Sequence, residues 1–292
     1  MSSDLSRLIA EDRPLILPGV PNALTARLAV EAGFPALYVS GAGVTNTSLG
    51  MPDLGFLSLP DLVWHVSAIA DVVDVPLVVD SDTGFGNAVN VQQAVRRLER
   101  AGASAIQLED QVSPKKCGHF DGKEVVATEE MVGKIHAAVD ARRDEGFLIV
   151  ARTDVAAISG IDEACERAAR YSEAGADILF VEAPRSAEDM RAVTSRVPGV
   201  HIANIVEGGL TPGQTRAELA DLGYSIGLYA NAAMRGGMLG TRRILEHLAK
   251  HGDTQDAGHL IASWEERQGA VRKPLYDEAD KKYAAANFTR ED

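Results

Sequence analysis

Short apolar runs alternate along the chain with longer stretches in which apolar residues recur every three or four positions. The longer stretches predict amphipathic helices. The short runs are apolar with almost no alternation, which is typical of parallel strands covered on both faces. Eight runs predict strands in this way, at residues 15–18, 36–40, 76–82, 105–110, 147–153, 178–183, 200–204 and 225–230.

The predicted helices and strands follow a repeated unit. AGFPALYVS, AGASAIQLED and AGADILFVEA each lead from a glycine at a helix end, through an apolar strand, to a polar tip. Eight such units predict a (β/α)₈ barrel of the TIM type, whereas the alternative, a doubly wound sheet, usually needs fewer strands. We expect the barrel to span residues 1–252 and a polar helical extension to span residues 253–292, packed on a neighbouring subunit.

Composition narrows the class of protein. The chain has 292 residues, 46% of them hydrophobic, which suffices for a barrel-sized core. Its net charge of -13 counts against a nucleic-acid or anionic-membrane partner, because both require clustered lysine and arginine. The chain shows no apolar run of spanning length, no secretory layout at its start, and only two cysteines. These features predict a soluble cytoplasmic protein.

Polar and acidic residues stand at the ends of most predicted strands, where barrels of this type carry their chemistry. Asp80 and Asp82 interrupt an apolar strand, and an i, i+2 pair on an extended chain points to one side. Glu109 is expected to join them from the next strand. Such carboxylates cannot all stay ionised without a cation, which predicts Mg²⁺, with Mn²⁺ second, over a purely structural acid cluster. Helix N-caps also favour aspartate, and we assign that role to Asp154 and Asp110.

Arg152 supplies a positive charge at the end of the fifth predicted strand. A guanidinium beside a metal suits a bidentate grip on a substrate carboxylate. The alternative is a salt bridge to Glu182 or another acid, and the two roles are compatible because a bridge can orient the arginine.

The segment DQVSPKKCGHFDGK, residues 110–123, places Cys117 in a polar loop. Lys115, Lys116 and His119 are expected to stabilise its thiolate and so to lower its pKa below the usual value of about 8.5. A group of this kind can donate or accept a proton near neutral pH. Pro114 and the nearby glycines indicate a loop that closes over a substrate, so the thiol is predicted to belong to a lid.

Several motifs together resemble the isocitrate lyase / phosphoenolpyruvate mutase superfamily. They are SGAGVTNTSLGMPDLGF, VDSDTGFGN, LEDQVSPKKCGH, ARTD, FVEAP and NIVEGG, within a likeness that runs from about Leu15 to Leu248. The chain resembles the short-chain branch that holds 2-methylisocitrate lyase, 2,3-dimethylmalate lyase, oxaloacetate hydrolase, petal-death-type lyases and carboxyphosphonoenolpyruvate mutase. The resemblance implies a barrel whose last helix is swapped between subunits of a homotetramer built as a dimer of dimers.

The resemblance also implies roles for individual residues. Mg²⁺ would be held directly by Asp80 and through water by Asp53, Asp82 and Glu109. Ser40, Gly41 and Ala42 would bind the carboxylate of a 2-oxo acid together with Arg152, and Tyr38 would lie near the cleaved bond. The remaining substrate carboxylate and the organisation of the site would fall to Gly118, His119, Asn204 and Glu182.

The implied reaction is Mg²⁺-dependent carbon–carbon cleavage of a small carboxylate substrate, a 2-hydroxy di- or tricarboxylate, to a 2-oxo acid such as pyruvate plus a second acid. Cys117 would protonate the second fragment on carbon. NIVEGG is similar to the dimethylmalate group, whereas Arg235 stands where methylisocitrate lyases bind a further carboxylate, and Ala230-Asn231-Ala232 departs from every subgroup. A methylisocitrate-like or substituted-malate lyase is therefore expected. The alternatives are an oxaloacetate hydrolase, a carboxyphosphonoenolpyruvate phosphonomutase, or a non-catalytic carboxylate-binding barrel.

Overall fold

The computed structural model describes residues 2–11, 14–116, 118 and 122–284. Within them, eight parallel strands form a closed barrel in chain order, and β8 returns to pair with β1 through Leu15 opposite Ile226 and Pro18 opposite Tyr229. Every predicted strand is present, and the predicted TIM-type barrel is confirmed. The strands are β1 Leu15–Val20, β2 Leu37–Val39, β3 Leu77–Asp80, β4 Ala105–Glu109, β5 Leu148–Thr153, β6 Ile178–Val181, β7 Val200–Asn204 and β8 Ile226–Tyr229.

Helices connect the strands, and several of them begin at side-chain caps. Ser58 and Asn87, for example, accept hydrogen bonds from backbone N–H groups of the first turn of the helices that follow them, which satisfies donors that the helix leaves free. The α-helices are α1 Ser2–Glu11, α2 Ala23–Glu31, α3 Gly41–Val44, α4 Leu59–Ala70, α5 Ala88–Arg100, α6 Thr128–Ala141, α7 Ala156–Ser159, α8 Ile161–Glu173, α9 Ala187–Arg196, α10 Arg216–Asp221, α11 Ala232–His251, α12 Trp264–Ala270 and α13 Lys273–Tyr283.

Alternate residues of each strand enter two different cores. Leu77 and Val79 of β3 join the core between sheet and helices, whereas Val78 joins the core inside the barrel. Leu5 and Ile9 of α1 pack with the inner core, which includes residues from the first halves of the strands, so α1 closes that end of the barrel. The opposite end, at the carboxyl ends of the strands, is left for polar side chains.

The chain divides into two compact units, residues 1–234 and residues 235–292. The second unit holds most of α11 together with α12 and α13, so C-terminal helices are present as predicted. The expected boundary at 252/253 falls inside this unit and stays a prediction. Large apolar side chains of the second unit are exposed, including Trp264, Leu275 and Tyr276 at 70%, 57% and 65%. In the part of the chain that the structure describes, none of the helices combines the length and apolar character that a membrane span requires.

Candidate active site

The two-residue period of the strands decides which side chains reach the open end of the barrel. Val78, Val150 and Phe180 point into the inner core. The residues two positions further on, Asp80, Arg152 and Glu182, therefore continue the inward rows where the strands end. The same rule places further polar residues on inward rows: Tyr38, Ser40, Gln107, Glu109 and Asn204.

These side chains surround a cavity of about 30 Å³ at the carboxyl ends of the strands, enough for one or two water molecules. The apolar part of its wall comes from Phe180, Val206 and Leu228. The sequence-predicted residues that line it are Tyr38, Ser40, Ala42, Asp53, Asp80, Gly118, Arg152, Glu182 and Asn204.

The three other predicted residues of this region lie beside the cavity: Gly41, Asp82 and Glu109. The N–H of Gly41 donates to Asp80 Oδ2 at 3.2 Å. A Cβ added to Gly41 would lie 3.1 Å from Asp80 Oδ2 and 3.5 Å from Asp82 Oδ1, so both aspartates reach this glycine. Glu109 Oε2 lies 3.4 Å from Arg152 Nε. The structure thus brings the predicted acids, the arginine and the Ser40–Ala42 segment to one place.

Asp82 lies in the cluster, but its backbone conformation differs from the one that the sequence predicted. The strand ends at Asp80, and Asp82 adopts a left-handed backbone with φ of 49°. The extended geometry that we expected for this pair is therefore wrong, although its consequence holds. Aspartate is among the few non-glycine residues that visit this conformation readily.

Lys115 lies within the acid cluster. Its Nζ is 2.6 Å from Asp53 Oδ1 and 2.9 Å from Asp82 Oδ1, and the residue is 5% exposed. Burial raises the pKa of Asp82 to about 6, an effect that Lys115 opposes and Asp80 and Asp53 reinforce. Burial also raises the pKa of Glu109 well above its usual value, despite Arg152. The acid cluster therefore carries an excess of negative charge that its buried surroundings disfavour.

The donor set fits a hard divalent cation. Around the cavity, the described residues supply six carboxylates, of Asp53, Asp80, Asp82, Glu109, Asp154 and Glu182, against three cationic groups, of Lys115, Lys123 and Arg152. Glu109 Oε1 is buried without a hydrogen-bond partner. No three metal-binding side chains among these described residues are placed to hold an ion together. Mg²⁺ nevertheless keeps several waters in protein sites and needs only one or two direct carboxylates, so the other acids would hold it through water.

Arg152 is held by acids on several sides. Its Nε and Nη2 donate to Asp154 Oδ2 and Oδ1 at 2.8 and 2.9 Å, and Glu182 Oε2 lies 3.4 Å from Nη1. Burial disfavours the charge, but Asp154, Glu182 and Glu109 outweigh it and raise the pKa of Arg152 well above its usual value. The predicted salt bridge therefore exists, and the guanidinium stays charged and oriented beside the cavity.

Asp154 and Asp110 do not cap helices, so that prediction is wrong. Val155 precedes α7, and Asp154 turns its carboxylate to Arg152 instead. Asp110 lies one residue past the inward position of Glu109. Its Oδ2 accepts from the hydroxyls of Thr153 and Tyr171 at 2.7 and 2.8 Å. It joins β5 to α8 behind the site.

Tyr38 and Gln107 form a buried pair in the wall of the site. The hydroxyl of Tyr38 donates to Gln107 Oε1 at 2.8 Å, and Gln107 Nε2 donates to Asp80 Oδ1 at 3.2 Å. Burial, reinforced by Asp80, raises the pKa of Tyr38 well above its usual value, so the phenol keeps its proton. Sequence reasoning missed Gln107, although the inward alternation of β4 would have found it.

Gly118 fits a place that has no room for a side chain. A Cβ there would overlap Arg152 Nη2 and lie 2.7 Å from Glu182 Cγ. Lys123 Nζ donates to the Gly118 carbonyl and lies 3.3 Å from Asp154 Oδ1. Nδ2 of Asn204 donates to Glu182 Oε2 at 3.3 Å.

Three further predicted residues are not placed in this site. Cys117 and His119 lie outside the described residues. Arg235 is an exposed residue of the second unit. The second cysteine, Cys165, is 3% exposed and belongs to the core between sheet and helices.

Known proteins are similar to this chain in sequence. A family model described as phosphoenolpyruvate phosphomutase matches residues 5–249. The 2,3-dimethylmalate lyase of Eubacterium barkeri is 48% identical over 233 residues, 80% of this chain and 81% of the relative. The 2-methylisocitrate lyase of Aeropyrum pernix is 48% identical over 252 residues, 86% of this chain and 81% of the relative.

Solved structures are also similar to this chain, in their fold. A crystal structure of 2,3-dimethylmalate lyase superposes with a TM-score of 0.92 at 31% identity, covering 99% of this chain and 97% of that one. A phosphonopyruvate hydrolase complex with oxalate and Mg²⁺ superposes with a TM-score of 0.87 at 31% identity, covering 97% and 99%.

Proposed function

Because the chain belongs to the phosphoenolpyruvate mutase / isocitrate lyase superfamily, we propose that it is a Mg²⁺-dependent lyase that cleaves a carbon–carbon bond of a 2-hydroxy di- or tricarboxylate. The resemblance inferred from the motifs is confirmed. The observation that supports the activity most directly is the meeting of a buried acid cluster with an oriented arginine at one cavity. An acid set of this kind suits a metal, and an arginine suits the carboxylate of a metal-chelating acid.

Different residues would bind the metal ion and the substrate carboxylate. Asp80 would hold Mg²⁺ directly, and Asp53, Asp82 and Glu109 would hold it through water. The ion would act as a Lewis acid and template, favouring ionisation of the 2-hydroxyl group of the substrate. Arg152, clamped by Asp154, would bind the adjacent carboxylate in bidentate fashion, together with the Ser40–Ala42 segment.

The protein side chains also manage protons. Tyr38 keeps its phenolic proton, because burial strongly disfavours its anion, and donates it to Gln107 Oε1, so the hydroxyl oxygen would be the atom that it presents near the cleaved bond. The fragment that leaves as a carbanion equivalent must be protonated on carbon. We propose Cys117 as the acid that supplies this proton, and Glu182 with Asn204 as the pair that organises the second carboxylate end.

The test of the activity is a coupled assay for 2-oxo acid release with Mg²⁺. 2-Methylisocitrate, 2,3-dimethylmalate, citramalate and oxaloacetate are offered separately, and both products are identified. Release of pyruvate or another 2-oxo acid from one of the hydroxy acids is the expected result. Hydrolysis of oxaloacetate alone would identify an oxaloacetate hydrolase instead, and binding without turnover of any of them would overturn the lyase proposal in favour of a non-catalytic barrel.

Arg235 is proposed to distinguish a tricarboxylate from a simple malate. Replacement by alanine is expected to lower kcat/KM for 2-methylisocitrate by roughly tenfold or more, because a charge-assisted hydrogen bond contributes about 1.5–3 kcal/mol. The value for a dicarboxylate should change little. Arg242→Ala, on the same helix, is the matched control. An equal loss on both classes of substrate would contradict this role.

A swapped C-terminal helix and a dimer-of-dimers tetramer are part of the proposal. The exposed Trp264, Leu275 and Tyr276 support them, because exposed apolar side chains of this size mark association surfaces. A cytoplasmic location, inferred from the composition, is proposed with them.

A further inference from the structure

Lys115 is a buried cation whose charge is directed at proposed metal-binding acids. Its Nζ contacts Asp53 at 2.6 Å and Asp82 at 2.9 Å, with only 5% of the residue exposed. Lys116, the next residue, turns the other way and donates to the Gly122 carbonyl at 2.6 Å near the surface. Two adjacent lysines therefore serve different purposes, and only Lys115 is committed to the cluster.

The cost of this arrangement indicates that it has a role. Burying an ammonium group is unfavourable unless carboxylates compensate, and here two of them do so at ion-pair distance. Conversely, if Lys115 were absent, Asp53 and Asp82 would lose the ammonium group that they contact and would still face the negative charges of each other and of Asp80. The ammonium thus performs, for these acids, the neutralisation that a divalent ion would otherwise supply.

We propose that Lys115 is the resident cation of the acid cluster: it stabilises the metal-free protein through Asp53 and Asp82 and competes with Mg²⁺ for these two carboxylates. The inference rests on the proposed metal site. A hydrated Mg²⁺ approaching Asp53 and Asp82 would meet a like charge within a few ångströms, so the lysine must withdraw as the ion enters. Lys115 thereby keeps the affinity for Mg²⁺ lower than the acids alone would make it.

The experiment combines Mg²⁺ calorimetry with thermal unfolding of the EDTA-treated, dialysed full-length protein. Lys115→Met keeps the length of the side chain and removes its charge. We expect at least about tenfold tighter binding of Mg²⁺ than in the wild type. We also expect a metal-free Tm lower by roughly 5 °C or more, restored by added Mg²⁺. Lys116→Met, the matched control, should equal the wild type in both measurements. Lys115→Arg, which keeps the charge, should bind Mg²⁺ with an affinity within about threefold of the wild-type value.

Unchanged or weaker Mg²⁺ binding by Lys115→Met would overturn the competition. If neither the wild type nor any variant binds Mg²⁺, the proposed metal site fails, and this inference fails with it. A second measurement uses the wild type alone and does not depend on folding of the variant. Mild amine acetylation read by mass spectrometry should modify Lys115 slowly without metal and several-fold faster with saturating Mg²⁺, whereas an unchanged rate would contradict withdrawal of the lysine.

Discussion

Asp80→Asn is expected to lower kcat/KM by roughly a thousandfold or more and to abolish measurable Mg²⁺ binding. Asp80 is the inward residue at the end of β3, where its Oδ2 accepts from Gly41 N and its Oδ1 from Gln107 Nε2. Asparagine keeps the shape but removes the charge that would hold the ion directly. Steady-state kinetics with increasing Mg²⁺, together with calorimetry, measures both effects.

Asp82→Asn is the matched control for this substitution. Its carboxylate belongs to the same cluster but is proposed to reach the ion through water, so its loss should be smaller, and partly recovered by more Mg²⁺. Equal losses for the two variants would contradict the assignment of Asp80 as the direct ligand. Unchanged activity of Asp80→Asn would remove the acid cluster from the mechanism.

Cys117→Ser is expected to reduce kcat by roughly 10²–10⁴-fold, the range over which a positioned general acid contributes. A hydroxyl is a far weaker acid than a thiol, while its size and polarity suit the same place. Binding of Mg²⁺ and of a product such as pyruvate should stay close to wild-type values, because neither uses the thiol. Single-turnover kinetics with separate product titrations distinguishes these two effects.

Cys165→Ala is the control for the second thiol. This residue lies on the buried face of α8, in the core between sheet and helices, and does not line the cavity, so its replacement should affect stability and leave kcat unchanged. Full activity of Cys117→Ser would show that another group protonates the product.

The order of strands and their polar ends could be predicted because both follow from local pattern. Unbroken apolar runs predict buried parallel strands, and eight of them with helices between predict a closed barrel. The separation of Asp80 from Asp110 needed one further step, the two-residue alternation. Asp80 continues the inward row of Val78, whereas Asp110 continues the outward row of Leu108 and joins Arg167 and Tyr171.

The ion pairs of Lys115 could not be predicted, because they join residues far apart in the chain. Lys115 and Asp53 are 62 positions apart, and only the folded loops bring them together. The sequence suggested that Lys115 would stabilise the neighbouring Cys117 thiolate. Cys117 lies outside the described residues, so that suggestion stays a prediction, and the structure places the Lys115 ammonium against Asp53 and Asp82. Similarly, Asp154 resembles a helix cap in sequence, and only its bidentate pairing shows that it orients Arg152.

The most direct test of the account is metal removal during turnover of the hydroxy acid that the substrate assay identifies. Protein freed of metal with EDTA and dialysed should release no 2-oxo acid above background. Added Mg²⁺ should restore release of the 2-oxo acid, and the rate should reach its full value when one ion is bound per chain. Undiminished cleavage in excess EDTA would contradict a Mg²⁺-dependent lyase built on the carboxylates at the strand ends.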